Sequence, residues 1–433
     1  MKKIVDVGII GFGTVGSGVV SYFQEEFAGP DKCGVRLKTV ADADLTRPRA
    51  VNFDNLVANA EDVINDPQND IVVELIGGDR PASDFILKAL EQGKSVVTAN
   101  KLAVSRYMPR FFAAASASGS DLAFEAAVAG SIPILRVLRG YKNQPFNKIT
   151  GILNGTCNFM LTCMEGGMSF EDALSLAQEK GFAESNHILD TGGFDSRDKL
   201  AIIASLVFNT HVNPEKIYCE GITSVTDSDL DFAVKYRVEE GEPGYTVKSL
   251  ASVRHNGQAL ELYVYPALIR KDHPLASVRY ELNAVYMEGE YCGPQLLLGK
   301  GAGMKPTASA VVSDIFQVAD NIRRGVSDPL PTLDNEIEIA DVRTLRRQGY
   351  IRIGLTHVPG SFAAASKILA DAGMNIKDSV QRWRFKTEID GVPVIPDIVT
   401  VEPESFQTVE QSLERLKSSD HIIGEPFFLR FEE

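Results

Sequence analysis

The sequence predicts an α/β protein in three parts. A doubly wound parallel sheet is expected over residues 1–135 and an α+β domain over 136–325. A linker at 326–348 then leads to a small α+β module over 349–433. Three observations carry this reading. Through the first 135 residues short β-rich runs alternate with helical stretches, the pattern of helices covering a parallel sheet. A glycine-rich turn separates the first such run from the first helix. From about 136 the order becomes helices and then strands, and from 350 a βαββαβ succession.

Each element has a local cause. Residues 4–10 (IVDVGII) form an apolar run of strand length, and the glycines after it open a helix expected to reach about Phe27. Residues 35–41, 71–75 and 95–98 repeat the strand pattern, and 122–125 supply one more. Between 81 and 93, Phe85, Ile86, Leu87, Ala89 and Leu90 recur at helical spacing, with Gly93 at the stop. In the second part, 170–180 and 196–208 read as helices. Residues 247–252, 259–268, 283–286 and 295–298 read as strands, and 236–245 as an exposed loop. Its last helix is expected to pack back on the first domain. Residues 325–349 are rich in Pro, Asp and Arg and lack periodicity until Glu336, which marks a linker. The final piece reads as strand 351–356, helix 361–372, strands 376–383 and 394–401, helix 406–418 and strand 427–431. No internal repeat or low-complexity tract interrupts the chain.

Composition excludes several classes. The 433 residues are 44% hydrophobic and 24% charged, the balance of a globular protein with real cores. Lys and Arg number 44 against 58 Asp and Glu, a net charge of −14 that disfavours nucleic acid and anionic membrane as partners. Five cysteines (Cys33, Cys157, Cys163, Cys219, Cys292) are an odd number without a CxxC pair. That fits a reducing cytoplasm better than a disulfide framework or a thiolate zinc site. The longest strongly apolar run, 200–208, is far short of the roughly 20 residues of a membrane helix. Met1-Lys2-Lys3 before the first apolar run imitates a signal peptide, but Asp6 breaks the run and no clean cleavage site follows.

Chemistry begins at Gly11-Phe12-Gly13-Thr14-Val15-Gly16, a GxGxxG between a strand and a helix. The first glycine allows the tight turn, the second lets backbone approach a pyrophosphate, and the third lets helix pack on strand. The helix N-terminus then faces the anion. This is a dinucleotide site of Rossmann type. At the end of the second strand, Asp42 is placed to accept from a ribose 2′-OH, and its charge would repel a 2′-phosphate. Arg47 and Arg49 follow and would admit NADP if the loop folds back. NAD is favoured and NADP tolerated.

The stretch from Glu184 to Lys199 is the most informative. Asp195 or Ser196 is expected to cap the helix that follows, and Asp195 and Lys199, four apart, share a face with Ile202, Ile203 and Leu206. A lysine in line with a buried stripe needs a partner or a cavity. Taken alone, it reads as an ion pair with a snorkelling stem. Glu184 and Asp190, brought near by a Gly192-Gly193 turn, change the balance. Three carboxylates and a lysine make a receptor for an α-amino group beside a proton donor. Lys101, in VVTANKLAV, follows a strand at the carboxyl end of the sheet, where it can hold a substrate carboxylate or approach a nicotinamide.

These residues match a known family. GFGTVGSGV, ELIGGDRPA, VVTANKLAVS, FEAAVAGSIPI, NGTCNFMLT, the 184–199 spacing and GKGAGMKPTASAVVSDI resemble homoserine dehydrogenase, in order, over about residues 1–325. The resemblance implies interconversion of L-aspartate 4-semialdehyde and L-homoserine with NAD or NADP, in the route to threonine, methionine and isoleucine. It implies Lys199 as general acid/base, Lys101 as a second active-site lysine and Asp195 as an accompanying acid. It places Glu184, Asp190, Gly155 and Thr156 at the substrate, Gly301 at the cofactor, and a sodium ion on Glu125, Val128, Gly130 and Ile132. The physics agrees: hydride delivered to the aldehyde carbon leaves an alkoxide that a positioned ammonium can stabilise and protonate. The chain departs from the family at Ser185-Asn186-His187, where an Asp-Pro is common, and near Ala43, where an Arg is common. No kinase segment precedes the glycine motif, so a fused kinase–dehydrogenase is not expected.

The last module, HVPGSFAAASKILADAGMNIKDSVQR, resembles an ACT domain, a ferredoxin-like fold. That resemblance implies amino-acid binding around Pro359 and Gly360, L-threonine as effector, and a homodimer or homotetramer. Two other readings compete. Attack by Cys157 would make a phosphorylating semialdehyde dehydrogenase, but no histidine lies nearby in sequence to activate it. A catalytically inactive NAD-responsive amino-acid sensor would have no use for Lys199 among three acids.

Overall fold

The apolar runs at the start of the chain form six parallel strands among the described residues: β1 (Val5–Ile10), β2 (Val35–Ala41), β3 (Leu56–Val57), β4 (Ile71–Glu74), β5 (Ser95–Thr98) and β6 (Leu122–Ala123). The computed structural model describes residues 4–432 except 26, 27, 29, 142, 143, 185 and 390, so the expected helix end at Phe27 and residues 1–3 lie outside the described residues. Strand order is β3-β2-β1-β4-β5-β6, with Val5 opposite Val35 and Val7 opposite Ile71. The progression reverses between β1 and β4, the switch point where open α/β sheets bind ligands beyond their carboxyl ends.

This sheet belongs to one compact unit comprising Met1–Gly155, Asp195–Ile217 and Leu282–Ile337. Val7, Ile9, Val73 and Val97 share a core with Val311, Ile315 and Ala319 of the helix Met304–Arg324, which therefore covers the sheet from far along the chain. Gly18 makes that approach possible: a Cβ there would stand 2.9 Å from the Ala308 Cβ and 3.0 Å from Met304. The same unit holds three antiparallel strands, Phe146–Ile152, Leu282–Gly289 and Gly293–Lys300, with Ala284 opposite Ile152 on one side and Leu298 on the other.

The second unit comprises Thr156–Phe194, Tyr218–Glu281 and Glu338–Glu433. A long antiparallel pair, Tyr245–His255 with Ala259–Arg270, is followed across the sheet by Phe427–Glu432, Arg346–Thr356, Val392–Ser405 and Ile376–Gln381. In chain order the last four strands lie 4-1-3-2, the antiparallel arrangement of a split βαβ motif. The helices Ser361–Asp371 and Phe406–Lys417 bury Ala365, Leu369, Val409 and Leu416 against Ile351, Ile353 and Val399. Among the described residues no helix is long and apolar enough to cross a membrane.

Several local expectations change. The expected strand 122–125 stops at Ala123, and Glu125 enters a 3₁₀ turn, Glu125–Ala127, because its carboxylate turns to a neighbouring helix end. Asp195 does not cap its helix. It lies in the first turn of Phe194–Phe208, with its carboxylate on two lysines. The loop at 236–245 is not wholly exposed: Tyr236 is buried against Phe232, Tyr245 and Phe431, and residue 245 already starts a strand. The segment NGTCNFMLT forms a nearly all-buried helix, Gly155–Glu165, for which uniform burial left no amphipathic signal.

Candidate active site

The turn after β1 has the shape its glycines predict. Gly11 has φ +107°, and a side chain there would meet the Leu75 backbone at 2.7 Å. A Cβ on Gly16 would stand 2.1 Å from the Gly11 carbonyl oxygen, whereas one on Gly13 would meet nothing within 4 Å. Gly13 is the N-cap of the helix Thr14–Phe23, whose first turn carries no side-chain cap and no acid. Its amide donors and positive end therefore face open space, a fit for a pyrophosphate. Phe12 is buried, and Thr14 and Val15 form the first turn.

Asp42 follows β2 but is not a lone acceptor. Its Oδ2 accepts the Phe12 amide at 2.8 Å and its Oδ1 the Asp44 amide at 2.9 Å. Arg49 folds back on it: the guanidinium lies 3.3 Å from Oδ1, donates to the Phe12 carbonyl and stacks 5.0 Å over the Phe12 ring. The carboxylate that would bind a 2′-hydroxyl is thus already partly neutralised.

At the carboxyl ends of β4 and β5 a buried acid organises the backbone. Glu74 accepts the Ile76 and Gly77 amides on Oε1 and the Thr98 hydroxyl on Oε2. Burial pushes its carboxyl up, against those hydrogen bonds. Asn100 caps the helix Lys101–Ser118 through the Ala103 amide and holds the Gly78 carbonyl. Lys101 is the first residue of that helix, so its side chain starts at the sheet's ligand edge.

Lys199 meets Lys101 there through one carboxylate. Lys199 Nζ donates at 2.7 Å to Asp195 Oδ2 and at 2.7 Å to the Leu153 carbonyl. Lys101 Nζ lies 2.9 Å from Asp195 Oδ1, and Asn154 donates to Oδ2 at 2.9 Å. Burial opposes charge on Asp195, but Lys199 and Lys101 outweigh it and hold its carboxyl well below the usual range. The side chain of Lys199 is 11% exposed and that of Lys101 41%, so one ammonium is held in the protein and the other reaches out. Two cations on one anion leave a net positive site, suited to a developing oxyanion. Asn154 and the Leu153 carbonyl carried no sequence signal; they precede a buried helix 40 or more residues from their partners.

Other sequence-predicted residues lie elsewhere. Gly155 begins its helix in the same unit. In the second unit the Thr156 hydroxyl donates to the Phe182 carbonyl at 2.6 Å, and Glu184 is exposed. The carbonyl of Asp190 accepts the Cys157 thiol at 3.2 Å. Cys157 is buried and its thiol is spent on that backbone carbonyl, which leaves a nucleophilic role without support. His187 places Nδ1 3.0 Å from the Thr191 hydroxyl, while Ser185 lies outside the described residues. Gly360 has φ +95° and caps the helix Ser361–Asp371 after Pro359, beside an edge-on pair of His357 and Trp383.

The loop from Glu125 to Ile132 sits behind the glycine 301 turn: a Cβ on Gly130 would meet the Gly301 carbonyl at 2.5 Å. Both Glu125 carboxylate oxygens accept backbone amides at 2.8 Å, from Leu135 and Arg136. Burial, then the nearby Asp314 charge, pushes Glu125 up to about 7, and burial pushes Asp314 up to about 6. Both hold their protons more tightly folded than unfolded. Their stabilisation is complete below about pH 4 and is lost as pH rises through 6 and 7. The melting temperature is therefore expected to fall between about pH 5 and about pH 8, and to fall less in Asp314→Asn. Equal falls in the two proteins would remove this pair as the cause.

A pyrophosphate turn at the switch point and a lysine pair beyond the same sheet edge define a dinucleotide-dependent oxidoreductase. A family model described as the NAD binding domain of homoserine dehydrogenase matches residues 11–125, and one described as homoserine dehydrogenase matches residues 133–316. The chain is 37% identical over 390 residues to a homoserine dehydrogenase of Bacillus subtilis, covering 88% of each. It is 35% identical to one of Pseudomonas aeruginosa, covering 100% of this chain and 99% of the relative. A solved homoserine dehydrogenase from Thiobacillus denitrificans has a TM-score of 0.86 at 34% identity, covering 99% of this chain and 98% of that one. One from S. aureus has 0.73 at 27% identity, covering 100% of both. The chain belongs to the homoserine dehydrogenase family, and it is an NAD(P)-dependent oxidoreductase acting on a small molecule.

Proposed function

We propose that the chain interconverts L-aspartate 4-semialdehyde and L-homoserine, with Lys199 giving and taking the proton and Lys101 as the second cation. The observation that carries this is the buried Lys199 held between Asp195 and the Leu153 carbonyl, with Lys101 on the other oxygen of the same carboxylate. Residues 11–16 would hold a nicotinamide dinucleotide, which when bound would supply the hydride for the aldehyde carbon. Lys199 then donates to the oxygen of the resulting alkoxide. An ammonium has three donors, and among the described residues two of those on Lys199 have partners, which leaves the third for the substrate oxygen. In the oxidising direction the neutral amine accepts the hydroxyl proton at that position. Asp195 keeps the lysine in its rotamer and compensates its charge.

Glu184 and Asp190 are proposed to take the substrate ammonium, and Gly155 and Thr156 to contact the rest of it. A sodium ion would rest on the carbonyls of Val128, Gly130 and Ile132, because the Glu125 carboxylate is already committed to two amides. The 4-1-3-2 strand order of the last module supports an ACT domain over 349–433, with L-threonine as effector near Pro359 and Gly360, in a cytoplasmic homodimer or homotetramer. A spectrophotometric assay of cofactor reduction by L-homoserine, with and without L-threonine, tests the proposal. No turnover with either cofactor would overturn the activity, and turnover indifferent to L-threonine would overturn the effector.

Cofactor choice is proposed to be dual, because Arg49 offsets Asp42. Arg49→Ala is expected to lower kcat/KM for NADP about tenfold relative to NAD, the loss of one charge-assisted phosphate contact. An unchanged ratio would show that Arg49 serves only the loop.

A further inference from the structure

Asn283, on the strand Leu282–Gly289, is 1% exposed and was silent in the sequence. Its Nδ2 donates at 2.8 Å to the Leu153 carbonyl, the same oxygen that accepts Lys199 Nζ at 2.7 Å. We infer that Asn283 is a positioning residue for Lys199, acting through the shared carbonyl of Leu153. The inference rests on the proposed role of Lys199 as the proton-transfer group.

A carbonyl oxygen has two lone-pair directions, and here one serves the amide and the other the ammonium. Because Leu153 offers only an acceptor, the amide nitrogen must face it. The positive end of the Asn283 dipole then lies beside the Lys199 ammonium and opposes its charge. It also fixes where the carbonyl points and so where Nζ is held. Without the amide, the oxygen turns wholly to the lysine, which then keeps its proton more tightly.

Two further observations separate this from simple strand tethering. Ala284 already pairs with Ile152 in the sheet ladder, so the segment before residue 153 is tied without the side chain. Asn283 Oδ1 is buried and accepts nothing from the described residues, an arrangement that costs stability. Gly301 shows how closely the amide is confined: a Cβ there would stand 2.1 Å from Asn283 Cγ and Nδ2. Any larger residue at 301 would push the amide off the Leu153 oxygen.

The test is the single-turnover rate of cofactor reduction by L-homoserine against pH, for the full chain and for Asn283→Ala, Asn283→Asp and Lys199→Ala. In Asn283→Ala the acid limb is expected to move up by about one pH unit, and the rate below that limb to fall about tenfold. Asn283→Asp is expected to move it further, since a carboxylate replaces a dipole. KM for L-homoserine should change by less than about twofold, as the residue is not placed at the substrate. A limb unmoved in Asn283→Ala would overturn the inference, even with a lower rate or melting temperature, because strand tethering alone would produce that result. Asn283→Ala decides the matter alone if the buried carboxylate prevents folding of Asn283→Asp. Turnover surviving in Lys199→Ala would instead overturn the lysine assignment on which the inference rests.

Discussion

Lys199→Ala is expected to lower kcat for L-homoserine oxidation by about 10³-fold, near the middle of the range for removing a positioned acid/base. The dinucleotide dissociation constant should stay within about twofold, because the pyrophosphate turn at residues 11–16 and the Asp42–Arg49 loop do not involve the lysine. The separation matters because Lys199 is also structural: its ammonium joins the Leu153 carbonyl to Asp195. Removing it leaves a buried carboxylate that still pairs with Lys101 and Asn154. Some loss of stability is therefore expected as well. Cofactor affinity, read by nicotinamide fluorescence, distinguishes the cases. A protein that binds the dinucleotide normally yet turns over a thousandfold more slowly has lost proton transfer. Equal loss of both would mean a collapsed site, and unchanged turnover would remove Lys199 from the mechanism.

Local chemistry made parts of this architecture readable from the chain alone. The parallel sheet announces itself because βα alternation and a glycine turn are encoded within about 15 residues of one another. The Asp195–Lys199 pair was visible because four residues on a helix share a face. What was not visible depends on distant segments. Asn154 reaches Asp195 across 41 residues, Leu153 reaches Lys199 across 46 and Asn283 reaches Leu153 across 130, and an asparagine or a backbone carbonyl carries no pattern of its own. Glu74 reads as the polar end of an apolar run until the fold closes two loops around its carboxylate. Asp195 differs from its expected place for a related reason. An acid at a helix start suggests a cap, but two lysines compete for it more strongly than the backbone amides do.

Asp195→Asn should have the second-largest effect and should move the pH profile opposite to the Asn283 variants. Among the described residues the carboxylate is the one anion paired with Lys199, and the asparagine that replaces it offers a dipole in place of a charge. Lys101, 41% exposed, can turn its ammonium to water, whereas Lys199, 11% exposed, has no such outlet. Breaking a buried pair by removing one partner costs about 3–5 kcal/mol, and the buried lysine escapes part of that cost by losing its proton. The acid limb of L-homoserine oxidation is thus expected to move to lower pH, while kcat on the plateau falls about 10²-fold as the amine loses its orientation. Because the folded state holds the Asp195 carboxyl below its usual range, its stabilisation is present above about pH 4 and lost only as pH falls further. A melting-temperature deficit in Asp195→Asn should accordingly be full at neutral pH and shrink in strong acid. A limb moving upward in this variant would mean that the carboxylate does not control the charge of Lys199. Opposite displacements in Asp195→Asn and Asn283→Ala could not arise from general loosening of the site, since disorder has no reason to reverse its sign between two neighbours of one ammonium.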